Sequence, residues 1–156
     1  MTFSDEILIL RDPRESAAKC SLTPLRGKLG IRFVPFHRER RLEAGGRIFL
    51  DPEGELLGPG DLELAPAGIL LIDCSWRRVG NLLDTVDGEL LPRRLPALQT
   101  AYPRKSKTFD DPGAGLASVE ALFAALAILG RPRADLLDGY YWRERFLELN
   151  PQLPRG

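Results

Sequence analysis

The chain has 156 residues, of which 44% are hydrophobic and 28% are charged, so it can bury the core of an ordinary domain and is neither disordered nor of low complexity. Lysine plus arginine and aspartate plus glutamate both number 22, and the formal net charge of +0 excludes a uniformly basic nucleic-acid coat but not a local basic face. Two cysteines and one histidine are too few for a disulfide framework, an iron–sulfur cluster or a protein-built zinc site, so no metal is expected.

Strand signals dominate the first half of the chain. Residues 6–10 form a short apolar run that an Asp-Pro pair ends, which predicts a buried strand. Residues 29–36 alternate loosely and predict a second strand, at a sheet edge because of Pro35. Residues 46–50 predict a third strand, followed by a tight turn at 51–55. A short helix or turn is expected at 62–64. Residues 68–73 are apolar on both faces, which predicts a central strand of a covered, partly parallel sheet.

Helix signals dominate after residue 90. Residues 91–100 predict a helix interrupted by proline, with Pro96 in its first turn. Residues 118–129 predict a strong helix that Ser118 caps and Gly130 ends. Residues 140–149 predict another helix, closed by Asn150 and Pro151. The sequence therefore predicts an α/β lobe with a basic surface over residues 1–90 and a helical lobe over residues 91–156.

Neither the N-terminus nor any internal stretch predicts a targeting or membrane segment. Residues 1–10 have an acidic start and only a short apolar run, unlike a signal peptide. The longest nearly apolar stretch, residues 119–130, is shorter than the ~20 residues that a membrane span needs. A soluble, cytoplasmic and monomeric protein without membrane contact is expected.

Charge is unevenly distributed along the chain. Residues 19–41 hold seven lysines and arginines against one glutamate, whereas residues 51–63 hold five acids and no base. Solvated loops explain such a pattern, and so does a basic face for RNA phosphates. The candidate RNA contacts are Arg26, Lys28, Arg32, Arg77, Arg78, Arg104 and Lys105.

The end of the central strand is the strongest candidate site. Asp73, Cys74, Ser75 and Trp76 follow it, and ligands of open α/β sheets bind outside the carboxyl ends of strands. An acid, small polar groups and an aromatic plane suit a nucleoside, although a capping aspartate and a core tryptophan explain the motif as well. Cys74 has no evident catalytic partner.

Other nucleotide-binding signatures are weak. The sequence contains no GxGxxG and no GxxxxGK[ST] motif. Residues 113–118 form a glycine loop before the strong helix, which offers backbone N–H groups to a polar ligand or serves as a plain connection.

Taken together, these segments resemble the SPOUT-like small-subunit rRNA aminocarboxypropyltransferases of ribosome biogenesis. The matching pieces run in family order over almost the whole chain, and the Asp-Cys-Ser-Trp piece is quite specific. They are Asp12-Pro13, Cys20-Ser21, residues 57–61, residues 68–76, residues 94–98, residues 116–121 and residues 146–150.

The resemblance implies a deep trefoil knot, a helical lobe that completes the cofactor cleft, and S-adenosylmethionine (SAM) as group donor. It implies that Ile72 binds the ribose through its backbone, that Ser21 holds the amino-acid end, and that Asp73, the candidate catalytic residue, lies near the sulfonium. Leu95 and Ser118 complete the pocket, and Ala114 contributes backbone only. The adenine would be walled by Leu57, Pro59, Trp76, Leu116 and Ala121.

The chain departs from the family pattern at several places. The gap between Asp12-Pro13 and Cys20-Ser21 is longer than usual, and Tyr102-Pro103 stands where the family has Asn-Pro. The loop over residues 103–115 is longer and lacks the usual Asn-Tyr-Gly.

Three functions remain open at this point. An aminocarboxypropyltransferase would move the 3-amino-3-carboxypropyl group of SAM to a uridine-type base, at N3, in small-subunit rRNA or the pre-ribosomal small subunit. Asp73 would then act as base or sulfonium partner. The alternatives are a SAM-dependent RNA methyltransferase and a non-catalytic RNA-binding module of ribosome assembly.

Overall fold

A computed structural model describes residues 6–14, 21–102 and 116–155, and the side chain of Trp76 lies outside the described part. Within these residues the main sheet has five parallel strands in the order β2-β1-β5-β4-β7. The mixed α/β class and the parallel sheet are therefore confirmed. The strands are β1 (Ile7–Arg11), β2 (Ile31–Pro35), β4 (Arg47–Leu56), β5 (Gly68–Asp73) and β7 (Leu90–Arg94).

The two central strands are apolar on both faces because both faces are covered. β1 is buried throughout, and β5 is buried except at half-exposed Ile72. Ile7, Ile9, Ile69 and Leu71 belong to the larger core cluster on one face. Alternate residues of the same strands point to a smaller cluster on the other face. The predictions of a buried first strand and a central strand at 68–73 are confirmed.

The edges of the sheet carry the prolines. β2 lies at one edge, as Pro35 predicts, because proline has no N–H to donate to a second neighbouring strand. Pro92 lies in β7 at the opposite edge. The predicted helix over residues 91–100 is therefore wrong throughout: residues 90–94 form a strand that pairs with β4, and residues 95–102 contain no helix. The predicted division at residue 90 falls at the start of this strand.

β4 is longer than predicted. Leu50 and Glu55 both lie opposite Arg93, so residues 51–54 form a wide bulge within the strand. The Asp51 carboxylate accepts a hydrogen bond from the Glu53 N–H at 3.0 Å, which is the expected turn chemistry. The predicted turn at 51–55 does not end the strand, because pairing with β7 resumes after it.

Helix α3 (Ser118–Ile128) packs on the larger core cluster and is buried over most of its length. Its end at Gly130, with φ +81°, agrees with the prediction. Ser118 is not the cap, however. Ala117 precedes the first turn, and its N–H donates to the Glu120 carboxylate at 2.8 Å.

Shorter elements complete the fold. The predicted short helix at 62–64 is α1 (Asp61–Leu64), and the predicted helix at 140–149 is α4, which begins only at residue 143 (Arg143–Leu149). α2 (Val79–Leu83) covers the smaller core cluster through Leu82. Two short strands, β3 (Leu42–Glu43) and β6 (Val86–Asp87), pair in parallel and have no sequence signal.

Candidate cofactor site

A cavity of about 410 Å³ opens at the bulge of β4 and near the carboxyl ends of β5 and β7. β4 and β5 pair only as far as Phe49 and Leu70, and the two strands separate beyond that point. The bulge of β4 and the segment after β7 both contribute residues to the cavity wall. The lining consists of Leu50, Asp51, Pro52, Leu71, Arg93, Arg94, Leu95, Pro96, Ala97, Leu98, Leu116, Ser118 and Ala121.

The structure brings four predicted site residues together in this lining, namely Leu95, Leu116, Ser118 and Ala121. Two others lie directly behind it. Ser21 accepts a hydrogen bond through its hydroxyl from the Val119 N–H at 3.3 Å, in the first turn of α3.

Leu57 is also behind the lining. It is buried in the larger core cluster, and its N–H donates to the Arg94 carbonyl at 2.8 Å, next to Leu95. The remaining predicted cofactor residues are not in the lining. Ile72 follows Leu71 in β5, with its side chain toward the opposite face, and Pro59 is exposed ahead of α1. Ala114 and the side chain of Trp76 lie outside the described residues.

Asp73 is held by an ion pair. Its Oδ2 accepts a hydrogen bond from Arg11 Nε at 2.9 Å, and both side chains are 9% exposed. The Arg11 guanidinium also lies 4.6 Å from the centre of the Phe33 ring. Asp73 follows cavity-lining Leu71 by two residues and therefore projects to the same face of β5. Asp73 is itself not part of the cavity lining, and Arg11 balances its charge.

Several lining residues were missed by the sequence predictions. Arg93 is the most informative, because it is a mostly buried cation whose Nε donates to Asp61 Oδ2 at 3.0 Å. The same oxygen accepts the Gly58 N–H at 2.9 Å. Arg93 thereby ties the loop before α1 to β7. Asp61, which lies in the family piece at 57–61, was the sequence signal for this contact. Its partner Arg93 can be identified only once residues 90–94 are known to form a strand.

Glu120 joins three segments beneath the cavity. It is fully buried. Its Oε1 accepts hydrogen bonds from Thr100 Oγ1 at 2.6 Å and from the Ala117 N–H at 2.8 Å. Its Oε2 accepts from the Ala101 N–H at 2.9 Å and from the Tyr140 hydroxyl at 3.0 Å. The carboxylate thus fixes the segment after Leu98 against the first turn of α3, and the cavity-lining residues Leu98 and Ser118 are neighbours of these two segments.

The predicted RNA contacts have different surroundings. Arg26 is exposed, with its guanidinium 5.0 Å from the centre of the Phe33 ring. Lys28 lies 3.9 Å from Asp138, and Arg32 lies 3.8 Å from Glu6.

Arg77 and Arg78 follow β5 in the 3-10 turn Trp76–Arg78. Arg77 is exposed, and Arg78 pairs with buried Asp12. Arg104 and Lys105 lie outside the described residues.

Among the described residues, no cluster of three or more histidine, cysteine, aspartate or glutamate side chains could hold a metal ion. Within the same residues, no helix has the length and apolar character needed to cross a bilayer.

Comparison with known proteins places the chain in a family. A sequence model described as "Ribosome biogenesis protein, C-terminal" matches residues 48–154. The 16S rRNA aminocarboxypropyltransferase of Vulcanisaeta distributa is 36% identical over 110 residues, which cover 67% of this chain and 57% of that protein. The enzyme of the same name from Methanopyrus kandleri is 36% identical over 109 residues, covering 67% and 62%.

A solved structure agrees with these sequence relatives. The SAM-dependent rRNA:acp-transferase Tsr3 from Vulcanisaeta distributa superposes with a TM-score of 0.73 at 29% identity, covering 96% of this chain and 80% of that one. The chain spans 57% and 62% of the two curated relatives. With a family match over residues 48–154 and 36% identity to these relatives, the chain belongs to the ribosome biogenesis protein family that this C-terminal model describes.

Proposed function

We propose that the chain transfers the 3-amino-3-carboxypropyl group of SAM to a uridine-type base, at N3, in small-subunit rRNA. The observation that carries this proposal is the cavity, which assembles four residues that the family resemblance assigns to the cofactor. The names of the relatives support the reaction and its substrate, since they are 16S rRNA aminocarboxypropyltransferases. The similar solved structure is that of a SAM-dependent enzyme.

The lining fits SAM by size and chemistry. The cavity volume of about 410 Å³ lies within the ~300–1,000 Å³ usual for small-molecule sites. Leucines from β4, β5, the segment after β7 and the start of α3 supply apolar walls for an adenine ring. Arg93, Ser118 and Asp51 supply the few polar groups that fix orientation.

Bound SAM supplies a sulfonium leaving group with more than one carbon open to attack. The protein's task is then to present the methylene of the aminocarboxypropyl arm, rather than the methyl, to the base nitrogen. Such positioning contributes up to roughly 7–11 kcal/mol to catalysis. In this chain the leucine walls exclude water, and Glu120 keeps the two sides of the cavity in register.

Asp73 is proposed as the charged group beside the reacting centre. Its carboxylate already accepts a charge-assisted hydrogen bond from Arg11. To take a proton from the base nitrogen, the carboxylate would have to weaken that pair. As the N3–C bond forms and the C–S bond of SAM breaks, with methylthioadenosine as the leaving group, the Asp73 carboxylate would either accept the N3 proton or face the sulfonium charge.

Other features remain predictions. They are the SPOUT-like topology with its trefoil knot, the division into residues 1–90 and 91–156, the monomeric state, the absence of membrane contact and the cytoplasmic location.

The products of the reaction test the proposed function. Purified protein, SAM and small-subunit rRNA from a strain that lacks the gene should yield methylthioadenosine and a base-linked aminocarboxypropyl group. S-adenosylhomocysteine would instead identify a methyltransferase. Neither product, together with no SAM binding by calorimetry, would identify a non-catalytic module and reject the proposal.

The site itself is tested by Leu95→Ala. Loss of apolar burial against the ligand should weaken SAM binding by about 1–3 kcal/mol, which titration calorimetry measures. Leu64→Ala is the matched control, because Leu64 is exposed in α1 and does not line the cavity. Equal SAM affinity in both variants, with both folded by circular dichroism, would remove Leu95 from the site.

A further inference from the structure

A second cavity, of about 770 Å³, lies at the carboxyl ends of β1 and β2. It is on the other face of the sheet from the cofactor cavity, because Phe36 in its wall packs on the smaller core cluster. The lining is polar and rich in arginine. Its residues are Asp12, Pro13, Arg14, Phe36, His37, Arg38, Arg41, Arg78, Asn81, Asp84 and Thr85.

The lining is positively charged although the whole chain is neutral. Four arginines face two aspartates, so the cavity carries a formal charge of +2 with His37 neutral. The acid Asp12 is 2% exposed. Its two oxygens are both used, Oδ2 by the Arg78 guanidinium and Oδ1 by the Arg14 N–H at 3.1 Å. Asp84 is exposed in the wall, and its backbone carbonyl accepts a hydrogen bond from Arg41 Nη1 at 2.7 Å.

Within the described part of the chain, two of the four arginines are paired with carboxylates, and the other two are not. Arg41 is held by both carboxylate oxygens of Asp87, and Arg78 by Asp12. Arg14 and Arg38 are exposed, and within the described residues neither has a carboxylate within ion-pair distance. A guanidinium without a carboxylate partner, beside others fixed in place, is suited to bind a phosphate.

The turn that carries Arg38 is itself fixed. The Arg40 N–H donates to the His37 carbonyl at 2.9 Å, and the Glu39 N–H donates to His37 Nδ1 at 3.1 Å. Arg40 Nη1 donates to the Pro35 carbonyl at 3.4 Å, and Arg40 is not part of the cavity wall. Arg38 and Arg40 are thus exposed arginines of one turn, of which only Arg38 faces the cavity.

A backbone hydrogen bond joins the end of β1, next to the basic cavity, to the end of β5. The Asp12 N–H donates to the Asp73 carbonyl at 2.9 Å. The Asp73 side chain projects to the same face of β5 as Leu71, which lines the cofactor cavity, and Asp12 in the wall of the basic cavity pairs with Arg78. A strand of RNA that presents a base near Asp73 can therefore continue across the strand ends into the basic cavity.

We propose that this basic cavity binds the backbone of the single-stranded RNA substrate, with Arg14 and Arg38 contacting phosphates. The proposal rests on the proposed function for its choice of RNA. Exposed His37 and the Phe36 ring, which lies 5.9 Å from the Arg78 guanidinium, offer aromatic surface beside the charges. Basic grooves with aromatic groups are the usual sites for single-stranded nucleic acid.

Salt-dependent RNA binding tests the proposal. The probe is a short single-stranded uridine-rich RNA, measured by fluorescence anisotropy over a series of salt concentrations. Each lost phosphate contact should reduce the slope of log K against log salt by about 0.7. Arg38→Ala should therefore lower the slope by about 0.7, and Arg14→Ala with Arg38→Ala by about 1.4. Arg40→Ala, the matched control in the same turn, should leave it unchanged.

Three kinds of outcome would overturn the proposal. The first is an unchanged slope in the double variant or no RNA binding by the wild-type protein. The second is an equal loss in Arg40→Ala, which would reveal only a general charge effect. The third is displacement of the RNA by a competing anion. Polyglutamate, or uridine monophosphate, would be added at a carboxylate or phosphate concentration equal to the phosphate concentration of the RNA, and displacement would assign the cavity to that anion.

SAM binding separates this proposal from the proposed function. Arg14→Ala with Arg38→Ala should bind SAM with wild-type affinity. Normal SAM binding and transfer with an unchanged salt slope would reject the basic cavity alone. If the protein does not bind SAM but the double variant still lowers the salt slope of RNA binding, the transferase proposal is rejected and the RNA-binding cavity is supported.

Discussion

Two arginine–aspartate pairs in this molecule have the same chemistry in opposite environments. In the Arg11–Asp73 pair both side chains are 9% exposed, whereas in the Arg41–Asp87 pair they are 58% and 45% exposed. Water solvates the second pair and screens it. In the buried Arg11–Asp73 pair, each charge has lost its water on folding and is compensated mainly by the opposite charge. The same substitution therefore has different consequences at the two sites.

Asp73→Asn should destabilise the protein by about 3 kcal/mol, because it leaves the Arg11 charge buried without its counter-charge. Urea unfolding measures the change. Asp87→Asn is the control and should leave the unfolding midpoint close to that of the wild type, since exposed pairs contribute little. Equal midpoints for the two variants would contradict the buried ion pair.

The turnover of Asp73→Asn adds a second readout at temperatures where the variant is folded. A loss of rate well beyond the loss of SAM affinity would support a charge beside the sulfonium. Equal losses in rate and affinity would leave Asp73 a structural residue.

Asp135 supplies a pH-dependent contribution to stability. The hydrogen bond from Arg133 lowers the pKa of the Asp135 carboxyl, against the opposing effect of burial. Because the pKa is lower in the folded than in the unfolded state, the stabilisation is present above about pH 4. It is lost as the pH falls through the lowered value. Asp135→Asn should thus unfold at lower urea than the wild type at pH 7, and the difference should vanish in acid. A difference that persists or grows in acid would exclude this pair as its cause.

At the scale of elements, α3 and the segment after β7 depend on one carboxylate. Glu120 accepts four hydrogen bonds, from the two backbone N–H groups of Ala101 and Ala117 and from the hydroxyls of Thr100 and Tyr140. These donors come from three parts of the chain. A glutamate in the first turn also interacts favourably with the helix dipole.

Glu120→Gln should cost about 3 kcal/mol of stability, because a buried amide N–H₂ would then face donors rather than accept from them. It should also weaken SAM binding, since both walls of the cavity shift. Tyr140→Phe removes one donor and should cost about 1 kcal/mol. Glu148→Gln, an exposed change in α4, is the control. Unchanged SAM affinity in folded Glu120→Gln would show that the carboxylate stabilises the fold without shaping the cavity.

At the scale of the whole molecule, one sheet separates two cavities of different character. The leucine-lined cavity lies on the face covered by α3, and the basic one on the face covered by α2. The neutral total charge conceals this arrangement. Under the proposed function, the nucleoside and the polyanion would bind to separate surfaces.

Ligand binding should stabilise the whole fold through the first cavity. SAM at one hundred times its Kd should add about 2.7 kcal/mol. For a domain of this size that corresponds to a rise in Tm of roughly 5–10 °C. Differential scanning fluorimetry measures the shift, which should shrink in Leu95→Ala at the same SAM concentration and persist in Leu64→Ala. No shift in the wild-type protein would contradict a SAM site.

Local patterns in the sequence predicted β1, β2, β5 and α3, because apolar runs, prolines and helix ends act within a few neighbouring residues. The motif pieces likewise indicated the family and four residues of the cavity lining. β7 was mistaken for a helix, since Pro92 is acceptable in a strand only at a sheet edge, and its position there depends on pairing with β4. The Arg11–Asp73 pair joins residues 62 positions apart, and the four donors of Glu120 converge from three segments. Only tertiary structure decides such contacts, because parallel pairing joins residues distant in the chain and leaves no local periodicity to read.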